Sequence, residues 1–153
     1  FGIISIIDPE IFKFYPKRIR ENIEVSEFSP KLNKNINLIK NQVDILILLS
    51  HVGIEKDREL AKRYDEIDLI VGGHSQSFLE KPEKISNTII VHSGKDGYNV
   101  GHLKLKLNKK NEIHKFNGKL IPMTLDMESD STVLTMIENY HLLNQKKAVN
   151  IND

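Results

Sequence analysis

Apolar residues fall along this chain in short runs, and their spacing changes character near residue 80. Residues 1–7 are short, β-branched and closed by Asp8-Pro9, the pattern of a buried strand. Residues 8–22 mix Phe12, Phe14, Tyr15 and Ile19 with Lys13, Lys17, Arg18 and Arg20 without a period, and read as a loop with local packing. A short strand is expected over residues 23–28. Ser29-Pro30 is a helix start, with Ser as cap and Pro at the first helical position, and Leu32, Ile36 and Ile39 follow at helical spacing. Residues 43–50 are almost wholly apolar, which predicts a strand buried on both faces of a parallel sheet. A second helix is expected over 55–64, with acids first (Glu55, Asp57) and bases last (Lys62, Arg63), the order the helix dipole favours. A third apolar strand over 67–71 ends at Gly72-Gly73. Strand, helix and strand within 43–73 make a βαβ unit with a right-handed crossover.

Beyond that point the pattern changes. Residues 87–91 read as a strand. Over 102–107, Leu103, Leu105 and Leu107 alternate with His102, Lys104 and Lys106, the signature of a half-buried strand. Residues 108–111 are its turn and 112–122 the return. Asp130 caps a last helix carrying Val133, Met136, Ile137, Tyr140 and Leu143 on one stripe. The length suits one domain or a large piece of one, expected over residues 1–143, with 144–153 a frayed end or the start of a linker. The fold class is α/β: one parallel βαβ unit followed by antiparallel strands.

Composition narrows the function classes. The 153 residues carry Lys+Arg 22 against Asp+Glu 21, so no global field gathers nucleic acid or an acidic membrane. With no cysteine, disulfide frameworks, thiolate zinc sites, iron–sulfur clusters and cysteine nucleophiles are all excluded. The longest apolar run, about eight residues around 45–49, is far short of the roughly 20 that span a bilayer. Opening directly on an apolar strand at Phe1, with no initiator Met, suggests a fragment, so that any targeting signal is expected upstream of these residues.

Two histidines stand at informative places. His51 follows the 43–50 strand in Ser50-His-Val-Gly53, and His74 follows the 67–71 strand in Gly72-Gly-His-Ser-Gln76. If the strands are parallel, both imidazoles emerge at the carboxyl edge of one sheet, where open α/β sheets bind ligands. The adjacent glycines allow sharp turns and leave room for a ligand. Gln76 adds a neutral amide oxygen. A lone histidine at a strand end is commonly a hydrogen-bonded loop residue; two in register, with an oxygen donor beside them, suit a divalent metal.

Residues 43–54 (VDILILLSHVGI), Glu59-Leu-Ala61 and residues 67–76 (IDLIVGGHSQ) together resemble the calcineurin-like metallophosphatases. Within them the nearest branch is that of 5′-nucleotidases, UDP-sugar hydrolases and 2′,3′-cyclic phosphodiesterases. Residues 97–101 (GYNVG) resemble that branch's glycine turn, and Leu120-Ile-Pro122 its next strand; the likeness runs from about Phe1 to Tyr140. The resemblance implies part of a four-layer α-β-β-α sandwich, this chain being the C-terminal half of the catalytic domain. It implies that His51 and His74 ligate one of two divalent metal ions, such as Zn or Mn, and that Gln76, where many members have His, ligates the other. It implies hydrolysis of a nucleotide phosphomonoester by metal-bound hydroxide. Cyclic phosphodiester or nucleotide-sugar pyrophosphate cleavage, or a non-catalytic module of the same fold, are the alternatives.

The family's earlier blocks, D-x-H, G-D and G-N-H-D/E, do not occur in this chain. No catalytic acid or base is therefore assigned within it, and the chain alone is expected to be inactive. The expected partners are a small-molecule nucleotide, the N-terminal half of the domain and a C-terminal substrate domain, with no nucleic acid and no transmembrane segment. Family members are largely exported, which implies a periplasmic or extracellular location. The remaining histidines take ordinary roles: His92 as a loop residue, His102 and His114 solvated near the turn, His141 partly exposed. Lys104, Lys106, Lys109 and Lys110 read as the wet side of a hairpin, Phe12, Phe14 and Tyr15 as local packing, and Asp44 and Asp68 as acids at the wrong end of their strands for catalysis.

Overall fold

The computed structural model describes residues 1–149. The chain divides between Met123 and Thr124 into two compact units. The first begins with strand β1 (Gly2–Ile7), the one-turn helices α1 (Pro9–Phe12) and α2 (Lys17–Arg20), and helix α3 (Phe28–Ile39). It continues through β2 (Leu46–His51), α4 (Ile54–Arg63) and β3 (Leu69–Gly72), then β4 (Glu83–Ile85), β5 (Thr88–Val91), β6 (Asn99–Leu107) and β7 (Ile113–Pro122). The second unit holds α5 (Ser131–Val149), where Asp130 Oδ1 accepts from the Thr132 and Val133 amides as the predicted cap. Its stripe residues Val133, Met136, Ile137, Tyr140 and Leu143 are all exposed. The end or linker expected from residue 144 starts inside α5, and 150–153 lie outside the described residues. Among the described residues no helix is long and apolar enough to cross a membrane.

Five strands form one sheet in the order β1-β2-β3-β5-β4. The pairs β1–β2, β2–β3 and β3–β5 are parallel, so the βαβ reading of residues 43–73 holds; β4 alone runs antiparallel, against β5. Strands β6 and β7 form a separate antiparallel ribbon whose turn and register agree with the alternating leucines. Rows of side chains cross the parallel strands in register. Ile4, Leu48, Ile70 and Ile90 form one such row, covered by Leu32 and Ile36 of α3 and by Leu60 and Ala61 of α4.

Three expectations are corrected. Residues 23–27 form no strand; the chain there runs irregularly into α3, whose cap residue is Glu27, two residues before the Ser29 expected. Residues 8–22 are not wholly loop, because Asp8 accepts from the Glu10 amide and starts a helical turn with Pro9 at its first position. The predicted packing there stands, with the Phe12 and Tyr15 rings 5.3 Å apart. Cover on the second face is partial: on the side away from α3 and α4, Leu69 and Ile89 are buried, but Ile3 is 62% exposed, Leu49 43% and Val71 40%. Continuous apolarity in the sequence thus marks two faces that both want cover, of which this chain's helices provide one.

Candidate metal centre

The carboxyl edge of the sheet collects the polar side chains. His51 is the last residue of β2, and His74 lies two past the end of β3. Their rings sit 5.3 Å apart, centre to centre, inclined at 59°, and both are exposed. The structure therefore brings together the two histidines singled out in the sequence. Gln76 is exposed on the same short loop.

How the backbone reaches this arrangement differs from the expectation about glycines. Gly53 does adopt a left-handed φ, at 91°, as it turns β2 into α4. In the second loop the left-handed positions are His74 (φ 73°) and Gln76 (φ 54°), not Gly72 or Gly73. Side-chain-bearing residues seldom hold such angles, and those that do concentrate at functional sites. Gly72 and Gly73 are needed for a different reason, the lack of a side chain. A Cβ on Gly73 would stand 3.1 Å from His51 Nδ1. One on Gly72, pointing to the opposite face, would collide with His92 and Asp57.

The two loops are tied to each other. Ser75 Oγ accepts from the Ile54 amide at 3.0 Å, capping the start of α4, and shares a 2.8 Å hydrogen bond with Ser77 Oγ. A third strand end contributes Asp8, which is buried, accepts from the Glu10 amide and pairs with Lys56 of α4. Burial is the largest influence on the Asp8 carboxyl and pushes it up. The Lys56 hydrogen bond, the Glu10 N–H and the charges of Lys56 and His74 outweigh it and hold the group below its ordinary value.

His92 corrects the loop-residue expectation. It is buried, and its Nε2 lies 2.7 Å from Asp57 Oδ2. Asp57 is buried too, and its other oxygen accepts from the Ser50 hydroxyl. The sequence pattern gives Asp57 only the place of an acid favoured by the helix dipole. A signal was present: Asp57, Leu60, Ala61 and Tyr64 share one helical stripe, so the acid stands on the buried face. His102, His114 and His141 are exposed as expected. Asp68 and Asp44 have structural partners: Asp68 Oδ2 accepts from the Leu46 amide, and Asp44 Oδ1 from the Asn111 side chain.

Among the described residues no group of three or more His, Cys, Asp or Glu is placed to hold a metal ion. The donor set is two imidazoles with Gln76 nearby in sequence. Two imidazoles that ligate one cation at about 2.0–2.1 Å put their ring centres roughly 5 Å apart, so the observed spacing fits.

No family profile matches the chain. It is 29% identical to a 5′-nucleotidase-related protein of Glossina morsitans morsitans, over 95% of this chain and 30% of that protein. It is 28% identical to the uncharacterized metallophosphoesterase YunD of Bacillus subtilis, over 62% of this chain and 21% of the relative. Its fold matches a solved structure of the Thermus thermophilus sulfate thiohydrolase SoxB with a TM-score of 0.80 at 21% identity, covering 95% of this chain and 27% of the other. The chain resembles the calcineurin-like metallophosphatases. The chain spans less than a third of the length of each of these relatives. The family resemblance carried by the two histidine blocks, and the α/β fold expected with it, both hold.

Proposed function

We propose that this chain supplies part of the metal centre of a nucleotide phosphoesterase, a hydrolase of phosphoric ester bonds. His51 and His74 hold one divalent cation, and Gln76 helps to hold a second. The observation that carries the reading is the pair of exposed imidazoles 5.3 Å apart at the carboxyl edge of parallel strands. The names of relatives, 5′-nucleotidase-related protein and metallophosphoesterase among them, support the substrate class. Two divalent cations, when bound, activate water near neutral pH and stabilise both oxygens of an in-line displacement at phosphorus.

The chain's own residues do the holding. His51 is set by β2 and seats its ring over Gly73. His74 is held by a left-handed backbone between two tied loops. Three donors cannot secure two cations, so the remaining ligands, the bridging carboxylate and the leaving-group acid come from outside these residues. They belong to the N-terminal half of the domain, laid against the open face of the sheet. Recognition of the nucleotide base likewise belongs elsewhere, and the location is exported.

The test is hydrolysis by the natively expressed protein, titrated with Mn²⁺ or Zn²⁺ after chelation. Substrates are a nucleoside 5′-monophosphate, a 2′,3′-cyclic nucleotide and a UDP-sugar. Metal-dependent release of phosphate from the monophosphate, lost in His51→Ala and in His74→Ala, is the expected result. Cleavage of only the cyclic nucleotide or the UDP-sugar would move the assignment to the sister chemistry. Turnover that survives chelation and both histidine variants would overturn it.

A further inference from the structure

One row nearer the carboxyl edge, the helix-covered face of the sheet turns from apolar to polar. Ile4, Leu48, Ile70 and Ile90 give way to Ile6, Ser50 and Gly72, with His92 next, just past the Val71–Val91 pair. Asp57 of α4 lies over this row. It accepts from the Ser50 hydroxyl with one oxygen, and its other oxygen shares a 2.7 Å hydrogen bond with His92 Nε2. The Asp57 and His92 side chains are 0% and 1% exposed. Gly72 of β3 sits between β2, which carries Ser50, and β5, which His92 follows, and the Asp57–His92 pair occupies the space a Cβ there would need: it would fall 2.0 Å from His92 Nε2 and 2.3 Å from Asp57 Oδ2.

Stability alone does not explain such a cluster. A buried carboxylate and imidazole lose hydration on folding, and apolar side chains of similar volume serve a core at least as well. What hydrogen bonds add is direction. These run to the residue just before His51, to the residue just after β5, and from α4, whose first amide is capped by the residue just after His74. They close over Gly72, two residues before His74.

We propose that Ser50, Asp57 and His92 form a positioning network that fixes the backbone at the ends of β2 and β3 and thereby sets the spacing of the His51 and His74 rings. None of the three touches metal or substrate. The consequence for metal binding rests on the function proposed above; the positioning itself does not.

Three variants of the natively expressed protein test this: His92→Ala, His92→Gln and the double variant Asp57→Leu/His92→Leu. Gln offers an amide N–H near the position of Nε2 and can still donate to Asp57. The double variant removes the polar pair while filling its volume, so the fold is retained. Two quantities are read on each: the nuclear Overhauser contact between the His51 and His74 rings without metal, and the affinity for Co²⁺ from its visible absorption. In His92→Ala and the double variant the ring contact weakens and Co²⁺ affinity falls about tenfold, the lower range for supporting residues of a metal site. In His92→Gln both stay near wild type. A folded double variant with wild-type ring contact overturns the inference, as does a His92→Gln variant no better than His92→Ala. If the double variant fails to fold, the Ala and Gln pair decides. If the wild-type protein shows the ring contact but binds no Co²⁺, the metal reading falls and the ring contact alone decides the positioning.

Discussion

At the carboxyl edge the two faces of one sheet put neighbouring residues to opposite uses. On the helix-covered face Ser50 and His92 are buried beneath Asp57, with Gly72 between them. On the open face, one residue along each strand, His51 lies over Gly73 with its ring exposed. Strand geometry makes the division automatic, since successive side chains point to opposite faces. A dipeptide such as Ser50-His51 thus carries one residue that holds and one that is held. Two adjacent glycines serve both sides, each leaving out a Cβ whose place another side chain takes.

Substituting those glycines is the most direct way to break the comparison. Gly72→Ala forces the Asp57–His92 pair apart inside the core, where neither side chain can swing into solvent. Overpacking together with a disrupted buried pair costs about 3 kcal/mol or more, read as a loss of midpoint in urea unfolding. Gly73→Ala meets only the exposed His51 ring, which can give way. Stability should change by less than about 1 kcal/mol, while metal affinity falls because the ring is displaced. Equal destabilisation by the two substitutions would show that the two faces are not functionally distinct.

The next contrast lies within the open side. His74→Ala removes a strong nitrogen ligand, and metal-dependent hydrolysis should fall by about a hundredfold or more. Gln76→Ala removes a neutral oxygen that water can imitate, so the loss is milder, about tenfold at limiting metal, and excess metal restores part of it. Gln76→His should be tolerated and shift preference toward zinc. Titration of metal at fixed substrate separates these outcomes. A Gln76→Ala curve superimposed on wild type at limiting metal would remove Gln76 from the ligand set.

The open side was legible in the sequence because its chemistry is local. His51 and His74 each end an apolar run, and a βαβ unit leaves little freedom about which edge they share. The locked side was not legible to the same degree. Ser50, Asp57 and His92 come from three separate elements, and their meeting depends on register and on the seating of α4. Asp57 carried two meanings at once, an acid in a first helical turn and a member of the buried stripe, and the dipole reading hid the other. The short β4 was missed because three residues, Glu-Lys-Ile, hold no period; its pairing with β5 defines it. The irregular 23–27 segment failed as a strand because, among the described strands, none pairs with it, and apolar residues alone do not make a ladder.

The smallest expected effect comes from the acid at the other end of the sheet. Asp68 Oδ2 accepts a single hydrogen bond, from the Leu46 amide at 2.8 Å, and has none of the partners that surround Asp57. Burial pushes its carboxyl above the ordinary value, and the amide only partly opposes this. The folded state therefore holds the proton to higher pH than the unfolded chain does. Stability from this group is fully present below the unfolded value and is lost as pH rises through the raised folded value. Asp8, held low by Lys56 and its neighbours, has the opposite sign: its contribution is present above the unfolded value and is lost as pH falls through the lowered one. Asn at position 68 can still accept from Leu46 and carries no charge to bury. Asp68→Asn should thus match or slightly exceed wild-type stability at neutral pH, within about 0.5 kcal/mol, and lose any advantage in acid. Asp8→Asn should cost about 1 kcal/mol at neutral pH, through the ion pair to Lys56, and converge on wild type in acid. Urea midpoints of the three proteins from acid to neutral pH measure both differences. If Asp68→Asn were destabilising at neutral pH and harmless in acid, as Asp8→Asn should be, the acid at the amino edge would be a charged anchor like Asp8, and the contrast between the two ends of the sheet would fail.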